Sequence, residues 1–430
     1  MTNAPVGERV PASARYRAGL GMVAALAFAV RLAYVLWYSR GTPVGFDADA
    51  YLRLAYGLSH HGRYELSGVT TALFPPGFPA FLAGLQVFKL NHFTELLVAM
   101  AVLGTGTTVL VAQLARRVGG DTVGLVAGAI AALYPNLFLA EGALMTEALT
   151  AFLVALALLL ALRAIDSPSP RRFLVLGLPL AYGALTRSDG WLFALLLVGT
   201  VAWCVTSAPR DWRRFAALCG AGLIASVVLV GAWLVRDDVQ MHAFVPVAVN
   251  SWDVIAGANC PGTYSGARFG SWQAPCLQLD QALHAGRRGE IAVNQYERDR
   301  GIDYARSHLS RLPSVVAARL GLTFGAYDPW HELTVEGNAE GRDVGLSHVG
   351  YVMYLVLLPF AIAGFVLLGP GRTRRVLLVP LVAILISTVV GYGNQRFRMP
   401  LEPVIVVLAA VALSRLGGSG RPLRRASSMQ

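Results

Sequence analysis

Apolar runs as long as a bilayer is thick recur along this chain. Residues 18–38, 94–113, 143–162, 190–207, 215–235, 346–368 and 400–413 are almost wholly apolar. About 20 such residues cross a bilayer as a helix, because a helix satisfies its own backbone hydrogen bonds where there is no water. A soluble core has no use for so many, so the pattern predicts an all-α polytopic membrane protein. Composition agrees: only 14% of residues are charged, against about 25% in soluble domains. The first run ends in Trp37 and Tyr38 with no small-residue cleavage site, and reads as a retained span rather than a signal peptide.

The net charge of +11 would suggest nucleic acid in a soluble protein. Here it sits in short clusters beside the apolar runs, the pattern that orients a protein in a membrane, and no nucleic-acid partner is expected. The clusters are Arg9, Arg15 and Arg17; Arg163, Arg171 and Arg172; Arg210, Arg213 and Arg214; Arg372, Arg374 and Arg375; and Arg421, Arg424 and Arg425. Placing all five in the cytoplasm gives a multi-pass plasma-membrane protein with both termini inside. Alternation then puts Asp47, Glu141 to Glu147, Arg187 to Asp189, residues 236–345 and Tyr392 to Pro400 outside. Nearly every polar residue with chemical potential falls on that one face. Both termini inside require an even number of crossings, yet about eleven apolar segments are visible. The stretch Phe78–Leu90 is short and follows Pro75-Pro76-Gly77. Either it fails to cross, or Arg116 and Arg117 lie outside, or the segment after Asp121 is a half-helix; about ten crossings are expected.

The chain divides into an N-terminal transmembrane module, 1–235, with its first outer loop at 39–75; an extracytoplasmic loop or small cap, 236–345; C-terminal transmembrane helices, 346–416; and a Gly/Ser/Arg-rich cytoplasmic tail, 417–430, expected to be disordered. The 236–345 segment carries 13 acidic residues and 10 arginines, so it lacks the basic bias of the cytoplasmic ends. Interleaved charged and apolar residues suit helices over 276–324. Cys260 and Cys276 lie here, where an outer compartment permits a disulfide. Cys204 and Cys219 sit in or beside apolar runs as small apolar residues. No His/Cys spacing suggests a metal site, and no metal or cofactor is expected.

The most informative stretch follows the first run: Gly45-Phe46-Asp47-Ala48-Asp49-Ala50-Tyr51-Leu52-Arg53, continuing to Pro75-Pro76. The apolar spacing from Asp49 to Ser59 suits a helix on the membrane surface. Asp47 and Asp49 stand at its N-terminus, where the helix dipole favours carboxylates. Asp47 and Tyr51 share a face, as do Asp49 and Arg53, which also suit a plain ion pair. Glu147 and Glu402 lie near outer helix ends, and an acid at membrane depth is a functional candidate; helix capping beside Thr146 is the rival role for Glu147. Arg187 and Asp189 read as a pair within a tight turn, and Arg31, inside the first helix, as an internally packed structural residue. His60 and His61 precede a Gly turn and read as loop residues. His331 and His348 border the large loop, where either is placed to meet an acceptor. Arg396 and Arg398 open the last helix at the outer boundary, suited either to snorkelling or to holding phosphate.

This layout resembles the GT-C superfamily of membrane glycosyltransferases, most of all the branch holding the bacterial aminoarabinose transferase and the protein O-mannosyltransferases. In that branch the first outer loop opens with an acidic motif, runs through a juxtamembrane helix containing a Tyr, and ends at Pro-Pro. Asp47, Tyr51 and Pro75-Pro76 match those elements. Tyr134-Pro135 with Met145-Thr146-Glu147, Leu185-Thr186-Arg187-Ser188-Asp189-Gly190, and Arg396-Phe397-Arg398-Met399-Pro400-Leu401-Glu402-Pro403 follow in the family's order. The likeness covers 18–235 and 346–416. It departs where the aminoarabinose transferase has Glu-Lys before Pro-Pro and this chain has Leu73-Phe74, and where Ala48 separates two acids that are adjacent in the mannosyltransferases.

The resemblance implies transfer of a sugar from a polyprenyl-phosphate donor to a hydroxyl of a glycan, lipid or protein acceptor at the outer face. Such a donor already carries a good leaving group. A carboxylate must orient or deprotonate the acceptor, the role of Asp47 with Asp49 as second carboxylate. Guanidiniums must take the charge developing on the phosphate, the role of Arg396 and Arg398, with Arg53 a weaker candidate. Tyr51, Glu147, Glu402 and His348 are candidates for the substrate pocket. A transporter or lipid flippase is the main alternative, but it calls for internal repeats and midplane charges, which are not apparent. A cell-envelope glycan polymerase or ligase is the other.

Overall fold

A computed structural model describes residues 13–37, 44–206 and 211–418. Arg9, Tyr38, Arg210, Arg421, Arg424, Arg425 and most of the tail therefore lie outside the described residues, as does the start of the first outer loop. The fold is helical: α1 Ala14–Trp37, α2 Phe46–His61, α3 Gly77–Val87, α4 Phe93–Gly119, α5 Asp121–Leu133, α6 Leu139–Gly142, α7 Thr146–Asp166, α8 Pro170–Thr186, α9 Gly190–Val205 and α10 Trp212–Met241. There follow α11 Asn250–Ala258, α12 Pro261–Tyr264, α13 Leu279–His284, α14 Glu290–Ser307, α15 Leu312–Thr323, α16 Pro329–Glu340, α17 Val344–Leu368, α18 Arg372–Val390 and α19 Glu402–Leu416. A two-residue antiparallel hairpin, Glu65–Leu66 with Val69–Thr70, follows α2. Local chemistry sets several boundaries. Ser169 caps α8 ahead of Pro170, and Asp343 caps α17 through the Leu346 amide.

Among the described residues, seven helical units are long and apolar enough to cross a membrane: α1, α4, α7, α10, α17, α18 and the continuous unit Gln395–Leu416. Polar ties group the helix ends. At one end of the bundle Ser13 donates to Asp121 (2.7 Å), Arg116 pairs with Asp121 (2.6 Å), Arg117 pairs with Asp166, and Arg172 donates to the Arg163 carbonyl (2.8 Å). These join the start of α1, the end of α4, the start of α5, the end of α7 and the start of α8. At the other end Tyr134, Glu147, Arg187, Arg396 and Glu402 meet.

That grouping bears on the parity. The 11-residue α3 is only about 16 Å long. Its first residue accepts a hydrogen bond from Tyr182 near the end of α8 (2.8 Å), and its Gln86 accepts one from Ser59 of α2 (2.6 Å). So α3 stays at the end where α2 lies, and α4 starts back from there. Adding the shorter α5, α8 and α9 to the seven long units gives ten helices among the described residues, the number of crossings expected. The short α5 is extended by a 3-10 turn at Pro135–Leu137 and by α6.

Within the bundle, Arg31 of α1 pairs with Glu141 of α6 at 2.9 Å, and both side chains are fully buried. The remaining guanidinium nitrogens face the carbonyls of Ala27, Ala131 and Ala132. Gly104 of α4 makes room, since a Cβ there would overlap the Glu141 carboxylate.

The expected boundary at 235/236 falls inside α10, which continues to Met241, and α17 opens at Val344. Between them α11 to α16 form a cap tied to the bundle. Glu290 binds the Thr71 hydroxyl and the Ala72 amide (2.6 and 2.8 Å). Arg319, buried, donates to the Ala258 carbonyl and Asn259 Oδ1 (both 2.9 Å) and to the Val389 carbonyl of α18 (3.0 Å). Cys260 and Cys276 form a disulfide, while Cys204 and Cys219 are free thiols.

Candidate active site

Asp47 is the second residue of α2, which opens after the extended Gly45. Its carboxylate stands where unpaired helix amides favour negative charge. Facing it is Arg396, in the 3-10 turn Gln395–Leu401 that leads into α19. Asn394 starts that turn by accepting from the Arg396 amide (2.9 Å). Arg396 Nη1 lies 3.8 Å from Asp47 Oδ2 and 2.5 Å from Glu340 Oε1, and its Nε lies 3.6 Å from Glu147 Oε1. Its Nη2 donates to the Tyr392 hydroxyl (3.4 Å). Glu147, in the first turn of α7, is also 3.5 Å from Arg187 Nη1, and Arg187 Nε holds Asp189 at 3.0 Å. Glu340 ends α16. After Gly341 turns the chain at φ 70°, Arg342 reaches back to Glu340 Oε2 at 2.7 Å. The Phe397 ring lies between the Arg187 and Arg396 guanidiniums.

Burial pushes the Asp47 carboxyl above the usual carboxylate range. Arg396 offsets part of that, while Glu147 and Glu336 push it further up. A carboxylate whose proton affinity is raised this way makes a better base near neutral pH. Burial likewise raises Glu340, against the pull of Arg342 and Arg396.

The other candidates divide. Tyr51 lies buried one turn beyond Asp47, edge-on to Phe74 and Phe78 (centroids 5.1 and 5.3 Å), and seats α2 on α3. Asp49 and Arg53 pair with each other at 2.8 Å, both more than half exposed. They face away from Arg396, so the structure brings neither into the cluster. Arg398 makes none of the cluster's ion pairs, although it lines a small cavity with Arg342 and Arg396. Residues two apart on a helix of three residues per turn point about 120° apart, and Arg398 is 2% exposed and locked to Glu402 at 2.7 Å. It also donates to the Thr323 carbonyl (3.2 Å) and lies over Tyr354. Glu402 accepts from Tyr134 (2.7 Å) and Asn136 (3.3 Å), completing a buried structural knot. His348 sits beside Thr334 and Trp330 on α16, outside the ion cluster.

Three members of the cluster were not read from the sequence as such. Glu340 and Arg342 come from the loop without recognisable pattern. Arg187, read as a turn residue, reaches Glu147 as well as Asp189. Arg187 and Asp189 also head a largely apolar crevice between α7, α8, α9 and α18, lined by Leu153, Val154, Leu180 and Phe193. Among the described residues no group of three or more His, Cys, Asp or Glu side chains converges to hold a metal ion.

Comparison with known proteins defines the class: this is a multi-pass membrane protein with the GT-C glycosyltransferase fold. Within that class, residues 74–234 match the family model described as dolichyl-phosphate-mannose-protein mannosyltransferase. The archaeal oligosaccharyltransferase AglB from Archaeoglobus fulgidus, solved with an inhibitory peptide and a dolichol-phosphate, superposes with a TM-score of 0.55 at 14% identity, covering 94% of this chain and 51% of that one. Its apo form gives 0.54 at 15% identity, with the same coverage. This chain thus spans about half the length of that solved protein. ArnT from Cupriavidus metallidurans, bound to undecaprenyl phosphate, gives 0.39 at 14% identity, covering 95% and 79% of the two chains. No curated protein matches by sequence.

Proposed function

We propose that this chain transfers a sugar from a polyprenyl-phosphate-linked donor to an acceptor hydroxyl at the outer face of the membrane. The observation that carries the reading is the meeting of Asp47 and Arg396, from opposite ends of the chain, at 3.8 Å in one half-buried cluster. In a single displacement the acceptor oxygen attacks the anomeric carbon, and the bond from that carbon to the phosphate oxygen breaks. Asp47 takes the acceptor proton. Arg396 meets the charge left on the departing polyprenyl phosphate with the forked donors that suit phosphate oxygens. Glu147 and Arg187 hold Arg396 and the neighbouring turn in place. The mannosyltransferase model matched by 74–234 supports a polyprenyl phosphate as carrier, and the dolichol-phosphate held by the archaeal protein of this fold is consistent with it. The apolar crevice below Arg187 suits the isoprenoid tail.

The test is to incubate the purified full chain, in detergent with a candidate acceptor, with a panel of radiolabelled polyprenyl-phospho-sugars. At least one donor should be consumed by the wild type and none by Asp47→Asn. Donor consumption by both proteins alike, or by neither across the panel, refutes the assignment.

A further inference from the structure

The cluster holds more carboxylates than an incoming phosphate can tolerate. Asp47, Glu147, Glu336 and Glu340 all act on the surroundings of Arg396. An anionic donor headgroup cannot simply be added to such a site; it has to replace something. The Glu340 carboxylate is the group in the right place. One oxygen is 2.5 Å from Arg396 Nη1 and the other 2.7 Å from Arg342 Nη2, so it bridges two guanidiniums from separate elements. Two oxygens of a phosphate would meet the same pair of donors.

The arginines also have donor capacity to spare. The Nε–H groups of Arg342 and Arg396 are both buried without a hydrogen-bond acceptor. A buried donor left unpaired is costly, and a phosphate offers more acceptor oxygens than a carboxylate. A cavity beside them is lined by Arg342, Arg396 and Arg398, with Glu402 the one carboxylate on its wall. The Glu340 side chain itself lies outside the lining of this cavity, on the far side of the two guanidiniums' Nη groups that it bridges. To reach the Nη donors of both arginines at once, a phosphate has to take the place of the Glu340 carboxylate that now bridges them. Glu340 is the last residue of α16, directly before the Gly341 turn at φ 70°.

Resting on the functional reading above, we propose that Arg342 and Arg396 together form the seat for the donor's phosphate, and that the Glu340 carboxylate fills this seat until the donor displaces it. Arg342 is thereby a binding residue, and Glu340 an internal competitor that sets the donor's apparent affinity. An empty seat would take from Arg342 and Arg396 the carboxylate that bridges their Nη groups, and Glu340 prevents that.

The experiment titrates the purified full chain in detergent micelles with farnesyl phosphate, and separately with inorganic phosphate, reading binding calorimetrically. Glu340→Gln should bind farnesyl phosphate roughly tenfold more tightly than the wild type, and Arg342→Ala roughly tenfold more weakly, the scale of one hydrogen bond to a charged partner. Inorganic phosphate should bind more weakly throughout but in the same order, which assigns the effect to the headgroup and not the isoprenoid. Thermal unfolding checks that each variant is folded. Should Glu340→Gln not fold, Glu340→Asp, one methylene shorter, should still tighten binding. Binding by the wild type with no tightening in the Glu340 variants, or with no loss in Arg342→Ala, overturns this inference and leaves the transferase reading intact. No binding to any of the proteins overturns it too, and failure to consume any sugar donor then removes the functional reading as well.

Discussion

Replacing Asp47 with Asn separates chemistry from binding. The two side chains are nearly isosteric, so α2 keeps its seat on α3, but the amide takes no proton. Loss of a general base lowers turnover by about a hundredfold to ten-thousandfold. Donor binding should move the other way. At an effective dielectric near 20, opposite charges at this separation attract by about 4 kcal/mol, and Asp47 lies 3.8 Å from Arg396. That figure is an upper limit, because Glu340 lies closer to the same guanidinium and the Asp47 side chain is 30% exposed. Removing the charge frees Arg396 for phosphate, so donor affinity stays level or rises while kcat collapses. The assay is single-turnover release of polyprenyl phosphate from a radiolabelled donor, with donor affinity measured in parallel. Because burial raises the Asp47 proton affinity, wild-type turnover should fall as pH drops through a value above the ordinary carboxylate range. That limb should be absent from the residual activity of the Asn variant. Equal losses in turnover and donor affinity, or an unchanged acidic limb, would refute the assignment of Asp47 as base.

Arg398→Ala should leave donor affinity within about twofold while lowering thermal stability, since it strands Glu402 among buried partners; a selective loss of donor affinity at unchanged stability would contradict the structural role. Arg31→Ala should cost about 3–5 kcal/mol by leaving Glu141 buried and unpaired, and adding Glu141→Gln should recover part of the loss in detergent unfolding. Cys260→Ser opens a disulfide between residues 16 apart in sequence, worth about 3 kcal/mol, and should speed proteolysis of the cap around 259–277 while leaving the bundle intact.

Much of this was legible because lipid leaves a chain few options. Apolar runs had to be helices, arginine clusters sorted their ends, and that sorting carried Asp47 and Arg396 to one face before any coordinates. What escaped notice is direction over short distances. Arg396 and Arg398 look equivalent in sequence, and only the 3-10 turn shows that one enters the cluster while the other is buried in a knot with Glu402. Asp49 looked like a second carboxylate, but the pitch of α2 turns it outward to Arg53. Glu340 and Arg342 lay in a loop with no periodicity, and their place depends on a glycine turn after α16.

The Arg31–Glu141 pair bears on how the chain is made. The two residues are 110 positions apart, so at about 5–20 residues per second roughly 5–20 seconds of synthesis separate them. Through that interval the first span holds a guanidinium whose counterion has not yet been translated, a burden of about 2.5–3.5 kcal/mol at the centre of a lone helix. The nascent span must shelter beside the insertion machinery, or ride high in the bilayer, until the sixth helix arrives to neutralise it.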